Sequence, residues 1–362
     1  MVGEASGDLH ASSLMQAISR FDSSSAFCGV GGQKMEQLNF QSLVSIKKLA
    51  VLGFFEVIKR LPFFINLKTK IIKDIKQKKP DKIILVDYPG FNLRLAKAIK
   101  KELDTPIIYY ISPQLWAWKE KRISIIKKHV DSMVVLFPFE KEWYAKRGLF
   151  VSYFGHPLAE TYNNYLKNFK NVEKRRVDTV ALFPGSRQQE LQKHLPLYKK
   201  IIKELRNYNP NLFFILKFTK DSCVDVKKEL GLRDNYHLEL GESFNAFAQS
   251  DFALVASGTA TLEGAFAKTP MAVIYKTSWL SWFLAKYFLN IKFVSIVNIL
   301  NKTKLVEEFL QNYADPKMIS EHVIENLSSG SKINYTHILD SLSQKNIYKN
   351  TAKHIMNFKV QA

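Results

Sequence analysis

Short apolar runs alternate with amphipathic stretches along the first half of the chain. Residues 83–86 (IILV) have the length and composition of a buried strand, and the polar turn after them leads into a helical pattern from Asn92 to about Lys101. Apolar runs at 107–111 and 133–137 are each followed by a turn that contains proline. Strands that alternate with helices in this way predict a parallel sheet with right-handed crossovers.

The alternation restarts in the second half, after a polar stretch at 161–178 that has the composition of a linker. The predicted elements there are, in order, a strand at 179–183, a helix from about residue 191, strands at 212–217 and 252–256, a helix at 261–268 and a strand at 271–275. At 362 residues the chain is long enough for two domains. We therefore predict an α/β fold of two Rossmann-like domains that face each other across a cleft, with ligands beyond the carboxyl ends of the strands.

The predicted domains are residues 1–165 and 175–345, and we expect a tail at 346–362 to pack back on the first domain. The chain opens on a strand-to-helix turn, GEASGD at 3–8, with only Met1 and Val2 before it. A strand of a parallel sheet has about five residues. We therefore expect a truncated first strand and a weakened N-terminal domain.

Two glycine-centred turns in the second half indicate a phosphate site. Gly185, Ser186 and Arg187 follow one predicted strand, and the run Ser257, Gly258, Thr259, Ala260 follows another. Such a turn aims unpaired backbone N–H groups and the positive end of a helix at one point. In the second turn Ser and Thr can cap the helix while glycine lets an anion approach the backbone. Neither turn is a P-loop or a dinucleotide fingerprint, and together they predict a nucleotide-diphosphate pocket.

Six side chains at turns or helix starts are candidates for chemistry. Asp87 ends a strand beside Tyr88, so partial desolvation would raise its pKa and suit it as a general base, although it can equally form a turn or cap a helix. Arg187 can chelate a diphosphate. Glu263 can accept hydrogen bonds from a ribose diol or only stabilise the start of its helix. Glu4, Ser6 and Asp8 can bind sugar hydroxyls or cap, and capping is favoured for the last two.

The charge and composition of the chain indicate which classes of binding partner it has. The net charge of +20, from 53 basic and 33 acidic residues, attracts anionic partners, and without a nucleic-acid motif it favours a membrane surface over nucleic acid. The segments 49–67 and 278–293 mix aromatic and aliphatic residues with Lys and Arg, as an interfacial helix or a buried core helix would. The sequence has no run of 18 apolar residues and therefore does not predict a membrane span. Two cysteines favour a reducing cytosol, and histidines scattered singly, without a CxxC or HExxH motif, do not predict a metal site. We expect no cofactor.

Ten strings follow one another over nearly the whole chain: GEASGDLH (3–10), GVGG (29–32), LAVLGFFEVIKRL (49–61), VDYPGFNLRLA (86–96), YISPQLWAWKEKR (110–122), LFPFEKEWY (136–144), FGHPLAE (154–160), LFPGSRQQEL (182–191), ASGTATLEGA (256–265) and VSIVNILNKTKLVEEFLQ (294–311). In sequence and in order they resemble the lipid-A-disaccharide synthases, an inverting glycosyltransferase family of GT-B fold. The resemblance implies transfer of 2,3-diacylglucosamine from UDP to 2,3-diacylglucosamine 1-phosphate, without a metal. It also implies a cytoplasmic enzyme, peripheral on the inner face of the inner membrane, and we expect a homodimer.

The resemblance assigns roles to residues. It implies that Asp87 deprotonates the acceptor 6-hydroxyl, that Glu4 and Ser6 assist on the acceptor side, and that Asn92 supports the Asp87 loop. The positions that match the UDP-holding residues are Gly185, Ser186, Arg187, Ser257, Gly258, Thr259, Ala260, Glu263 and Asn298. Those that match the acyl-chain and membrane-docking surface are Phe54, Phe55 and Val57.

The chain departs from the family at three places, the most serious of which is the short first strand, with only Met1 and Val2 before GEASGD. Gly90 stands where many relatives carry a second Asp, so we do not expect a carboxylate pair, and Lys302-Thr303 replaces a Gly-Arg step. Two alternatives stay open. One is another GT-B enzyme on UDP-GlcNAc, a 2-epimerase or a peptidoglycan GlcNAc transferase, although the apolar segments speak against an epimerase. The other is a basic membrane- or nucleic-acid-binding protein in which Asp87 and Arg187 are structural.

Overall fold

The computed structural model describes residues 1–49, 61–168, 177–219, 225–277, 292–330 and 332–359. Its helices are α1 (Ala5–Phe21), α2 (Gln33–Glu36), α3 (Leu61–Lys78), α4 (Pro89–Ile99), α5 (Ile123–His129), α6 (Pro138–Ala145), α7 (Pro157–Asn168), α8 (Gln188–Tyr208), α9 (Val226–Leu230), α10 (Ser243–Ala248), α11 (Thr259–Phe266), α12 (Ile296–Asn301), α13 (Pro316–Ser329), α14 (Thr336–Leu342) and α15 (Ile347–Asn357). Its strands are β1 (Cys28–Gly31), β2 (Gln41–Ser45), β3 (Ile83–Val86), β4 (Ile107–Tyr110), β5 (Ser132–Val135), β6 (Ser152–Tyr153), β7 (Thr179–Phe183), β8 (Phe213–Lys217), β9 (Tyr236–Glu239), β10 (Phe252–Ala256), β11 (Met271–Tyr275) and β12 (Glu307–Leu310).

The chain divides into two compact units. The first comprises Met1–Pro157 with Leu342–Ala362, and the second comprises Leu158–Ser341. The C-terminal helix α15 thus belongs to the first unit, where its Ala352 and Ile355 share a core with residues of α1. Within each unit the described strands pair in parallel, as the alternating pattern predicts.

The first unit contains two parallel sheets, ordered β1-β2 and β3-β4-β5-β6. The start of the chain runs between them. The amino group of Met1 donates to the carbonyl oxygen of Ile84 at 2.7 Å, the N–H of Val86 donates to Met1 O, and the N–H of Val2 donates to Val30 O. Met1 and Val2 therefore connect the edge of β3 to β1 and lie against the core of the unit.

The second unit is a six-stranded parallel sheet in the order β12-β11-β10-β7-β8-β9. The chain fills one side of the sheet with β7, β8 and β9 and then crosses to β10, β11 and β12. This is the doubly wound order, whose direction reverses between β7 and β10. Every residue of these two central strands is buried, which explains their continuous apolar sequences. Both glycine turns follow these strands and therefore flank the reversal point.

Several boundaries differ from those predicted. The stretch from residue 161 is not a linker at its start, because α7 extends to Asn168 and packs Tyr162 and Tyr165 against Phe244. Helix α4 begins at Pro89 instead of Asn92, since proline is well suited to the first helical position. Helices α8 and α11 begin three and two residues before their predicted starts. The edge strands β9 and β12 (YHLE and EEFL) have no apolar run and were not predicted.

Candidate active site

Asp87 follows β3 in a strained turn that its neighbours hold in place. The φ angles of Asp87 and Tyr88 are 45° and 50°, and a left-handed conformation costs a non-glycine residue about 1–2 kcal/mol. The Asp87 carbonyl oxygen accepts hydrogen bonds from Asn92 Nδ2 at 2.7 Å and from the Tyr109 hydroxyl at 2.6 Å. The N-cap of α4 is Tyr88, so capping does not explain Asp87. This half-buried residue is held rigidly at the carboxyl edge of the sheet, where strain usually accompanies function.

The Gly3–Glu4 turn lies directly against the Asp87 turn. A Cβ atom at Gly3 would overlap the Tyr88 ring, so the backbone of one turn touches the side chain of the other. Burial raises the pKa of Tyr88, and the nearby charge of Glu4 raises it further. The fold thus brings Glu4 and Asp87 to one place, with Ser6 exposed on the first turn of α1.

We expect Gly3→Ala to displace Tyr88, lower the melting temperature and reduce turnover, because overpacking a close contact costs about 1–3 kcal/mol. Gly90→Ala is the matched control, since a Cβ there meets nothing within 4 Å and alanine favours the helix. Differential scanning fluorimetry and an activity assay of both variants check this. Equal behaviour of the two variants would contradict the close contact.

Asp8 caps a helix, but not its own. The N-cap of α1 is Glu4, which makes no side-chain capping bond, so the caps predicted for Ser6 and Asp8 at this helix are wrong. The buried Asp8 carboxylate instead accepts backbone N–H bonds from Gly32, Lys34 and Met35 at 2.9, 3.0 and 3.3 Å. It stabilises the start of α2 and fixes the GVGG turn.

A buried carboxylate fixes the loop that follows β4. Glu140 accepts hydrogen bonds from Ser112 Oγ at 2.8 Å and from Trp116 Nε1 at 3.2 Å, besides the N–H groups of Leu136 and Phe137. Burial raises its pKa to about 7, and these donors oppose the rise. The residue was not among those predicted, although a Glu at the third position of a helix is a known capping signal.

The first glycine turn is capped from within. Gly185 has a φ of 110°, and the N–H groups of Ser186 and Arg187 donate to Glu190 Oε2 at 3.2 and 3.3 Å. The prediction of unpaired N–H groups is therefore wrong at this turn, because the third residue of α8 supplies a carboxylate that takes both. The Arg187 guanidinium is 65% exposed and lies 3.6 Å from Glu190 Oε1.

The second glycine turn lacks a side-chain cap. The N-cap of α11 is Gly258, at which a Cβ would meet nothing within 4 Å. The predicted caps do not form, since the hydroxyl of Ser257 donates to Val294 O and that of Thr261 donates to Gly258 O. An exposed helix start with open space before it remains suited to an anion.

Glu263 lies one turn into α11 and beside Lys217, at the end of β8. Burial raises its pKa to about 7, while a hydrogen bond from Ser243 and the charge of Lys217 oppose the rise. Burial likewise lowers the pKa of Lys217, and nearby glutamates including Glu263 oppose that fall. The two side chains thus form a titratable pair at the carboxyl edge of the second sheet.

This raised pKa predicts a pH effect on stability. Folded Glu263 keeps its proton up to about pH 7, whereas the unfolded residue loses it near 4.5, so its contribution to stability falls as the pH rises between these values and is constant above them. The melting temperature of the wild type minus that of Glu263→Gln should therefore decrease from pH 5 to 7. Glu204→Gln, an exposed carboxylate on α8, should show no such trend.

Asn298 is fully engaged within its own loop. Its Nδ2 donates to Val306 O at 2.9 Å and to Glu308 Oε1 at 2.8 Å, and its Oδ1 accepts from the N–H groups of Leu305 and Val306. These bonds use both donors and both lone pairs of the amide. The buried side chain holds α12 against the start of β12.

His194 joins two turns of the second unit and was missed by sequence reasoning. Its Nε2 accepts from the N–H of Lys276 at 3.0 Å, so the proton is on Nδ1, which lies 2.6 Å from Pro184 O. Burial lowers its pKa, in keeping with a neutral ring. The histidine ties the first glycine turn to the end of β11.

Comparison with known proteins identifies the family. A profile described as lipid-A-disaccharide synthetase matches residues 1–362. Lipid-A-disaccharide synthase 1 of Legionella pneumophila (strain Paris) is 37% identical over 337 residues, covering 89% of this chain and 86% of that protein. The lipid-A-disaccharide synthase of Coxiella burnetii (strain CbuG_Q212) is 33% identical over 369 residues, covering 99% of this chain and 97% of that protein.

This chain belongs to the lipid-A-disaccharide synthase family. It is therefore a glycosyltransferase of lipid A biosynthesis, as the ten sequence strings predict. A UDP co-structure of MnaA from S. aureus aligns with a TM-score of 0.65 at 13% identity, over 98% of this chain and 93% of the other. UDP-GlcNAc 2-epimerase from Neisseria meningitidis, bound to UDP-GlcNAc, aligns with a TM-score of 0.62 at 12% identity, over 98% of this chain and 96% of the other. At these identities the likeness concerns the fold alone, and it confirms the GT-B class.

Some predicted residues of this synthase lie outside the described ranges. They are Phe54, Phe55 and Val57, together with residues 278–291 of the second apolar segment. Helix α3, which begins at Leu61, exposes Leu61 and Ile65 by 45% and 50%. Among the described residues, no helix has the length and apolar character to cross a membrane. Within those same ranges, no group of three or more His, Cys, Asp or Glu residues could hold a metal ion.

Proposed function

We propose that this enzyme transfers 2,3-diacylglucosamine from its UDP donor to the 6-hydroxyl of 2,3-diacylglucosamine 1-phosphate, giving a β-1,6-linked disaccharide and UDP. Family membership supports this pair of substrates. The observation that carries the assignment is the Asp87 turn, where Asn92 and Tyr109 hold a strained backbone at a strand end. A carboxylate fixed in this way is suited to general-base catalysis.

In the proposed step Asp87 takes the proton of the acceptor 6-hydroxyl while the hydroxyl oxygen attacks the anomeric carbon of the donor. The new carbon–oxygen bond forms on the face opposite the diphosphate. The bond between the anomeric carbon and the diphosphate oxygen breaks, and UDP leaves with its electron pair. Attack from the opposite face inverts the anomeric centre. Glu4, next to Tyr88, and Ser6 would bind and orient the acceptor on the same side.

The leaving diphosphate would lie at the start of α11. Its N-cap Gly258 leaves open space, whereas the N–H groups of Ser186 and Arg187 are taken up by Glu190. The exposed Arg187 guanidinium, 3.6 Å from Glu190 Oε1, would bind the phosphate oxygens. Positive charge from this arginine and from the helix end would stabilise departing UDP.

Two further residues complete the proposed donor side. Glu263 would accept hydrogen bonds from the ribose hydroxyls, since it lies one turn behind the open end of α11. Asn298 would act as a positioning residue, because its amide is fully used in holding residues 305–308. This replaces the direct contact with UDP that the resemblance implies for it.

A peripheral position on the inner face of the inner membrane is part of the proposal. Helix α3 presents Leu61 and Ile65 to solvent at one end, and lysines follow along it. Lys68, Lys73, Lys76, Arg94, Lys97 and Lys101 line a groove between α3 and α4. Exposed apolar residues next to a basic surface favour binding to anionic lipid.

Incubation of the purified protein with the UDP-diacyl donor and the diacyl monosaccharide phosphate tests the function. We expect release of UDP that requires the acylated acceptor and is unaffected by EDTA. Release of UDP without the acceptor would contradict the transfer reaction, and conversion of UDP-GlcNAc to its 2-epimer would favour the epimerase alternative. Loss of release on addition of EDTA would contradict a metal-independent mechanism.

A further inference from the structure

Two cations flank one exposed indole at the end of the loop that follows β4. The Lys119 ammonium lies 4.1 Å from the centroid of the Trp118 ring, and the Arg122 guanidinium carbon lies 5.9 Å from the same centroid. Trp118 itself is 44% exposed. Lys119 has a φ of 55° and is the N-cap of the short 3-10 helix Glu120–Arg122, a left-handed conformation that is costly for a non-glycine residue.

Arg122 is linked to the proposed general base through Tyr109. Burial raises the pKa of Tyr109 well above its usual value, the charge of Asp87 raises it further, and the charge of Arg122 lowers it. The charges of Asp87 and Arg122 thus both act on the Tyr109 phenol, and its hydroxyl donates to Asp87 O at 2.6 Å. A third cation, Arg94, is on α4 two residues beyond the Asn92 that holds the same oxygen.

The three cations repel one another. Burial and the charges of Arg122 and Arg94 lower the pKa of Lys119, and burial and Arg94 lower that of Arg122. The acidic residue between them, Glu120, bonds Arg147 Nε at 2.7 Å. A bound anion would relieve this repulsion, because an opposite charge close by stabilises each charged form.

We propose that Arg94, Lys119 and Arg122 form a phosphate-monoester site that holds the 1-phosphate of the acceptor. This inference rests on the proposed function. A phosphate monoester carries about −1.5 to −2 charges and three acceptor oxygens, and a guanidinium can bind two of them. The 1-phosphate is on C1 and the 6-hydroxyl is carried, through C6, by C5, and these two ring carbons flank the ring oxygen. A site that holds the phosphate near the Tyr109–Asp87 contact therefore leaves the 6-hydroxyl within reach of Asp87.

Kinetics with two acceptors test the site. Arg122→Gln and Lys119→Gln should raise the KM for 2,3-diacylglucosamine 1-phosphate about tenfold or more, since a charged hydrogen bond contributes about 1.5–3 kcal/mol. The KM for the same acceptor without its phosphate should not change. Arg122→Lys should restore part of the affinity, and Lys121→Gln, an exposed neighbouring cation, is the matched control. Equal effects on both acceptors, or no effect on either, would overturn the proposal.

Direct binding separates this inference from the proposed function. If the wild type releases no UDP with either acceptor, the proposed function fails, and calorimetry with glucosamine 1-phosphate still tests the site. Binding by the wild type that is lost in Lys119→Gln supports the site, and equal binding overturns it. Vesicles of phosphatidylglycerol distinguish a lipid headgroup as the source of the phosphate. Loss of vesicle binding in the variants with an unchanged KM for the acceptor would also overturn the proposal.

Discussion

Asp87→Asn should lower kcat by about 10²- to 10⁴-fold, the usual contribution of a positioned general base. Asparagine is chosen because it tolerates the left-handed conformation that Asp87 adopts at φ 45°. The carbonyl oxygen that Asn92 and Tyr109 hold is a backbone atom and is retained. The substitution thus removes the base while leaving the turn in place. The measurement is steady-state UDP release at saturating substrates.

Two controls make this result specific to the base. Asp81→Asn changes an exposed carboxylate just before β3 and should leave kcat unchanged. The affinity of Asp87→Asn for UDP should equal that of the wild type, because in the proposed step Asp87 binds the acceptor hydroxyl and other residues hold the diphosphate. Retention of more than about a tenth of the wild-type kcat would rule out a base that contributes on this scale.

The central strands were predictable because they are buried on both faces. The runs at 179–183, 252–256 and 271–275, in which nearly every residue is apolar, are strands with the predicted boundaries. Edge strands lack this signal, since β9 faces solvent and mixes charged with apolar residues. The polar composition of 161–168 likewise hid a helix whose two tyrosines pack against an aromatic core.

The chemistry of individual side chains was harder to predict than their location. The sequence places Asp87, Arg187 and Glu263 at strand ends or helix starts. It does not show which polar groups form hydrogen bonds within the fold and so are not available to a ligand. The Asn298 amide makes its hydrogen bonds with residues 305–308. Glu190 accepts the N–H groups of the first glycine turn, which the sequence predicts to be unpaired. Such competition depends on contacts between side chains and backbone of specific loops, which residue spacing alone does not encode.

Asp8→Ala should give the largest loss of stability among the variants considered, about 3 kcal/mol in the free energy of unfolding. Its carboxylate accepts three backbone N–H groups at the start of α2, and those of Gly32 and Met35 are buried. Removing the acceptor leaves these donors unpaired, and each buried unpaired donor costs about 1–3 kcal/mol. The urea unfolding midpoint of the full chain measures the loss.

The predicted loss should be local in origin. Amide hydrogen exchange at 32–36 should accelerate in Asp8→Ala, because the start of α2 loses its cap. Asp8→Asn keeps one acceptor oxygen and should lose less, since Oδ1 serves both Gly32 and Met35. Glu36→Ala, an exposed carboxylate in the same helix, is the matched control and should stay within about 0.5 kcal/mol of the wild type. If Asp8→Ala unfolds at the same urea concentration as this control, the carboxylate does not hold the turn, and its place in the GEASGD motif needs a functional explanation instead.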